Sequence, residues 1–125
     1  MDYSDIETQL ITTHKFGIED DDSLYIELDD MIGNDRIVIL GLIMINVPPK
    51  QRRLGIATRI IQLCEKIAQN EQYSGIYVGP FMTDESEYLI KSCRKMRYVR
   101  CLPFGMSKSF NCGSITTVIF KNFNV

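Results

Sequence analysis

The sequence predicts a mixed α/β fold: a central sheet of about five to six strands flanked by helices, in one domain over residues 1–125. Three observations carry this. Residues 37–45 form an apolar run without alternation, the pattern of a strand covered on both faces. Just past Pro48-Pro49 the apolar period changes from that of a strand to that of a helix. The order of elements is then strand, strand, helix, strand, helix and closing strands, which a mixed sheet with helices on its faces accommodates.

The elements follow in order. Ser4 with Glu7 makes a capping box for a short helix over 5–10. The like-charge run 19–22 resists packing and reads as a loop. Leu24, Ile26 and Leu28 alternate with polar neighbours as in a half-buried strand, and Gly33-Asn34-Asp35 supplies turn chemistry for a hairpin. The next strand spans 36–47. Gly41 within it marks a bulge or a close backbone approach, and Pro48 ends it.

Ile56, Ile60, Leu63 and Ile67 then share one helical face, with Ala57, Ile61, Cys64 and Ala68 beside them. Residues 75–81 are strand-like. Asp84 with Glu87 opens a second capped helix through Leu89, Ile90 and Cys93. Residues 98–101, 106–110 and 114–120 read as closing strands.

Composition narrows the function classes. The chain has 125 residues, 45% hydrophobic and 24% charged, ordinary values for a folded domain. The nine-residue apolar run is less than half of the ~20 needed to cross a bilayer, and the start lacks a signal-peptide pattern, so a cytoplasmic chain without membrane partners is expected. Four cysteines without a CxxC pair and a single histidine give no zinc spacing and no disulfide framework, so no metal is expected. The net charge of -2 conceals a local balance of -10 in residues 1–35 and +8 in residues 36–125. The acidic part is expected near an acceptor entrance or a partner surface, or folded against the basic stretch 91–100.

The segment 47–57, VPPKQRRLGIA, sits between the buried strand and the amphipathic helix. Gly55 and Ala57 let a ligand approach the backbone, and the helix start offers unpaired N–H groups and the positive end of its dipole. Arg52 and Arg53 add positive charge. Together they suit a pyrophosphate, in a spacing that is neither a Rossmann nor a Walker motif.

Here the chain resembles the GNAT superfamily of acyl-CoA N-acyltransferases, whose motif Arg/Gln-x-x-Gly-x-Gly/Ala is matched by Arg52, Gly55 and Ala57, with Val47 at the preceding position. LIKSCRKMRYV, 89–99, more loosely resembles the family's fourth helix and following strand. The resemblance spans roughly residues 24–120. It implies a GNAT-like fold with a reduced N-terminal region and acetyl-CoA as cosubstrate. The pantetheine arm would bond backbone at Ile45, Asn46 and Val47, with the diphosphate on the amides of Arg53, Leu54, Gly55, Ile56 and Ala57. An amine, from a small molecule or a protein, would attack the thioester directly.

In this alignment the family's tyrosine acid falls on Cys93 and its Gly-Phe pair becomes Arg97-Tyr98. Tyr88 is the nearest phenol on that helix. Asp84 is a candidate base, as are Glu85 and Glu87, and Asp29 and Asp30 are comparable. Two other readings stay open: a catalytically degenerate member serving as a protein-binding or inhibitory module, and a nucleic-acid module using the basic stretch 91–100, which the acidic N-terminal third opposes. A monomer or a homodimer is compatible with either.

Overall fold

The computed structural model describes residues 2–20, 22–52, 55–81, 87–110 and 113–120, and the fold is mixed α+β. Its elements are α1 (Tyr3–Thr13), β1 (Lys15–Phe16), β2 (Tyr25–Gly33), β3 (Val38–Asn46), α2 (Ile56–Asn70), β4 (Gly75–Val78), α3 (Glu87–Lys95), β5 (Val99–Cys101), β6 (Gly105–Ser109) and β7 (Val118–Phe120). The strand order is β1-β2-β3-β4-β6-β5, with β7 also paired to β2. Among the described strand pairs, β3 and β4 run parallel, as a crossover through α2 requires, and the others are antiparallel.

The first helix starts earlier than Ser4 suggests. Asp2 caps it, its carboxylate accepting from the amides of Ser4 at 3.0 Å and Asp5 at 3.3 Å. The cap thus lies two residues before Ser4, and Ile6 and Leu10, four residues apart, are buried on one face of the helix.

β3 carries the informative irregularity. Glu27 pairs with Met44 but Leu28 with Leu42, so Ile43 is an extra residue. Since alternate strand residues face opposite ways, that bulge reverses the parity. Leu40 and Leu42 before it, and Ile45 and Val47 after it, thereby all pack towards the helices. The bulge lies at Ile43. Gly41 serves the other expected purpose: a Cβ there would collide with the Met31 side chain.

All three helices pack on one face of the sheet, where α1, α2 and α3 share a core with β2, β3 and β4. The other face is covered without a described helix, and this has a physical cause. The second face carries Met31, Ile39 and Tyr77, and the C-terminal stretch covers it with Ile115 and Val118. Ser107, buried there, donates to the Ile115 carbonyl at 2.6 Å. Leu102 donates to Thr116 O and accepts from Val118 N, both at 2.9 Å, while Val118 also enters the β7–β2 pairing. The stretch thus crosses from the β5 edge to the β2 edge and curls the sheet to seven strands. A short segment without helical periodicity does the work that a helix would otherwise do.

Candidate functional site

The sheet splits where β3 outruns β4. Their pairing covers only Leu40, Leu42 and the intervening Gly41 against Ile76, Val78 and Tyr77, and ends with Gly79 N donating to Leu42 O at 3.1 Å. β3 then continues through residues 43–46 alongside β2 alone. Beyond β4 the chain veers to the other side, and Phe81 N donates to Phe104 O at 2.7 Å. Alternate residues of a strand turn their N–H and C=O to opposite edges, so 43–46 present backbone hydrogen-bonding groups to the split.

The start of α2 stands at the same end of the sheet. Gly55 is its N-cap, with φ +74° and no side-chain capping bond. Arg59 N donates to Gly55 O at 3.1 Å, the first helical bond. The amides of Ile56, Ala57 and Thr58 precede that bond and have no helical acceptor. Gly55 is exposed, and a Cβ built on it meets nothing within 4 Å. A helix start with no side-chain cap and with open space around the Cβ position of its N-cap is a feature that can seat an anion. The residues therefore fit a diphosphate.

Arg52 is placed differently from a free phosphate ligand. Its Nε donates to Val47 O at 2.8 Å, and its guanidinium lies 4.9 Å from the centroid of the Tyr88 ring. The turn after β3 is thus fastened to α3, with a cation held over a phenol. A second tie runs between the helices: Thr58 Oγ1 donates to Ser92 Oγ at 3.2 Å, and Ser92 Oγ to Tyr88 O at 3.0 Å. Gln51 in the same turn has a buried Oε1 without a donor among the described residues. A buried acceptor left unpaired costs about 1–3 kcal/mol, a demand that a ligand amide can meet.

Of the expected site residues, Ile45, Asn46, Val47, Arg52, Gly55, Ile56, Ala57 and Tyr88 gather at this end of the sheet. Arg53, Leu54 and Asp84 lie outside the described residues, as does Glu85. Asn46 does more than expected: its Nδ2 donates to Asp20 O at 3.1 Å and Ser23 O at 3.0 Å, holding the acidic loop against β3. Glu19, Asp20, Tyr25, Met44 and Asn46 border a cavity of about 490 Å³ there. Tyr25 donates to Glu27 at 2.6 Å, and that bond is the main cause of its phenol being pushed up to about 12.

Cys93 is corrected by its surroundings. It is 0% exposed in the core beneath α2 and α3, and burial pushes its thiol up to about 12. An acid must reach the sulfur that it protonates, and this one faces the core. Cys93→Ala is expected to lower stability by about 1–2 kcal/mol, as a small core truncation does, and to leave any turnover per folded molecule unchanged. Chemical denaturation and a rate normalised to folded protein check both halves. Asp29 and Asp30 are also structural. Asp29 accepts from the amide of Asp30 at 2.8 Å, and Asp30 accepts from the Tyr73 hydroxyl, away from the split.

The Arg52–Tyr88 stack, the Thr58–Ser92 tie and the Gln51 acceptor escaped the sequence reading, because each joins elements distant in the chain or depends on which way a turn residue faces. Among the described residues no cluster of His, Cys, Asp or Glu could hold a metal ion, and no helix is long and apolar enough to cross a membrane. Neither a scan against protein-family models nor a search of curated proteins finds a match to this chain.

Proposed function

We propose that the protein is an acyl-CoA-dependent N-acyltransferase, with acetyl-CoA as the donor and an amine as the acceptor. The observation that carries the reading is the coincidence, at one end of the sheet, of the β3–β4 split with the uncapped, exposed start of α2. A pantetheine arm needs an extended edge with free amide and carbonyl groups, and a diphosphate needs converging N–H groups; the two needs are met side by side. The bulge at Ile43 adds support, since it turns the exposed backbone of β3 towards the split while keeping Ile45 and Val47 in the core.

Acetyl-CoA would supply the thioester. Residues 43–47 orient the arm, and the amides of Ile56 and Ala57 hold its anionic end. The acceptor enters beside Met44 and Asn46, where Glu19 and Asp20 favour a cationic amine. The cationic amine first gives one proton to water, which frees its nitrogen lone pair. As that nitrogen bonds to the acyl carbon, the carbon–sulfur bond breaks and the electron pair leaves on sulfur. Tyr88 donates its phenolic proton to that thiolate and regains one from the solvent; the nitrogen loses a second proton to water. Tyr88 takes this role in place of Cys93 because it is half-buried beside the Val47 turn and its hydroxyl has no hydrogen-bond partner among the described residues.

Thermal melting tests the binding step. A ligand bound only by the native state adds RT ln(1 + [L]/Kd), about 2.7 kcal/mol at 100 times Kd. Millimolar acetyl-CoA is expected to raise the melting temperature by several degrees, while an equal concentration of acetate does not. An unchanged melting temperature counts against the proposal.

A further inference from the structure

Among the described residues one ion pair, Lys66–Glu7, joins the acidic part of the chain to the basic part. Among the described residues the salt bridges are Lys66–Glu7 at 3.0 Å and Lys108–Glu65 at 3.5 Å. Neither uses Glu19, Asp20 or Asp22, nor a cation of the stretch 91–100.

Each stretch also exposes apolar surface. Before β2, Ile18 is 72% exposed and is followed by the exposed acids Glu19, Asp20 and Asp22. On the opposite edge a groove of about 720 Å³ runs between α3 and the β5–β6 hairpin, with Ile90, Tyr98 and Met106 in its lining and Arg94 and Arg100 beside them. Leu102 at 61% and Phe104 at 68% exposure extend the apolar surface at its mouth. Exposed side chains of this size in one patch mark an interaction surface. An apolar anchor flanked by acids is the complement of an apolar groove flanked by arginines.

The placement of the two patches settles how copies can meet. Tyr25 pairs with Asn46 at the C-terminal end of β3, so the acidic loop lies at that end. Phe81 bonds Phe104 just past the C-terminal end of β4, so the groove opens at the same end, β3 and β4 being parallel. The loop lies towards the β1–β2 edge and the groove towards the β6–β5 edge. A two-fold axis through that end exchanges left and right, and so sets each acidic loop opposite the other copy's groove.

We propose that the chain forms a closed two-fold dimer in which Ile18 and its acidic neighbours seat in the partner copy's groove. The inference is argued from exposure, charge and topology alone, though Glu19 and Asp20 also border the cavity given above to the acceptor. The test therefore reads mass rather than turnover.

Sedimentation equilibrium of the full chain is expected to give a dimer at about 0.05 M salt that dissociates towards about 0.5 M, as screening shortens. Glu19→Lys/Asp22→Lys and Arg94→Glu/Arg100→Glu each give monomers. None of these four side chains makes a hydrogen bond or ion pair with a described residue, so circular dichroism stays that of the wild type. Mixed one to one, the two variants regain dimer mass, because each now presents what the other's patches need. Ile18→Ser weakens the dimer about 100-fold or more, because a two-fold dimer loses two buried aliphatic side chains, one from each copy. The proposal is overturned by a wild-type monomer at low salt, including one that takes up short duplex DNA in its groove instead. A dimer indifferent to both charge reversals, or a mixture that stays monomeric, overturns it equally.

Discussion

Gly55→Glu is expected to weaken acetyl-CoA binding at least about 100-fold. The added carboxylate stands at the uncapped start of α2, where an anion is to be held, and like charges brought together cost several kcal/mol, each 1.4 kcal/mol being a factor of ten. The backbone also resists the change, because φ at Gly55 is +74° and a side chain there costs about 1–2 kcal/mol. Gly55→Gln separates the two effects. It carries the same strain and nearly the same bulk, and lacks only the ~0.3–1 kcal/mol that the helix dipole gives a carboxylate. Its stability therefore stays within about 1 kcal/mol of the glutamate variant while its binding falls far less. A Cβ at Gly55 meets no described atom within 4 Å, so neither variant collides with a described residue there. Equal binding by both variants would place the anionic end elsewhere.

Tyr88→Phe carries the second large effect. Phenylalanine keeps a ring beneath the Arg52 guanidinium, so the tie between the turn and α3 survives and the affinity for acetyl-CoA is retained. The lost hydroxyl is the proposed proton donor, and general acid catalysis contributes about 100-fold or more. The expected pattern is a kcat lowered about 100-fold with binding unchanged, the mark of an interaction made only in the transition state. An undiminished kcat would hand proton donation to another group. Loss of binding together with rate would make Tyr88 a supporting residue.

How far these features could be read from the chain varies with how local they are. The helical face of α2 and the chain turn before β3 rest on contiguous residues, and periodicity and turn chemistry reveal them. The bulge at Ile43 does not announce itself, because an all-apolar strand hides its own parity: only the pairing with Glu27 and Leu28 exposes the extra residue. Covering of the second face was equally hidden. Ile115 and Val118 belong to a segment without helical period, and their role depends on Ser107 and Leu102 drawing the segment across the sheet.

The site divides in the same way. Gly55 and Ala57 are legible, because a helix start and small residues are local facts. Cys93 and Tyr88 lie five residues apart on one short helix, and sequence spacing alone did not separate the core residue from the one beside the turn. The contact of Arg52 with Tyr88 joins residues far apart in the chain and puts Tyr88 beside the turn, while Cys93 lies in the core.

The central claim is that the split in the sheet and the start of α2 form one seat for acetyl-CoA. Calorimetric titration of acetyl-CoA into the wild-type protein tests it most directly. Saturable heat at one equivalent per chain, absent when acetyl-CoA is titrated into Gly55→Glu, is the predicted result. Heats no larger than dilution at millimolar ligand, with the protein folded throughout, would contradict it.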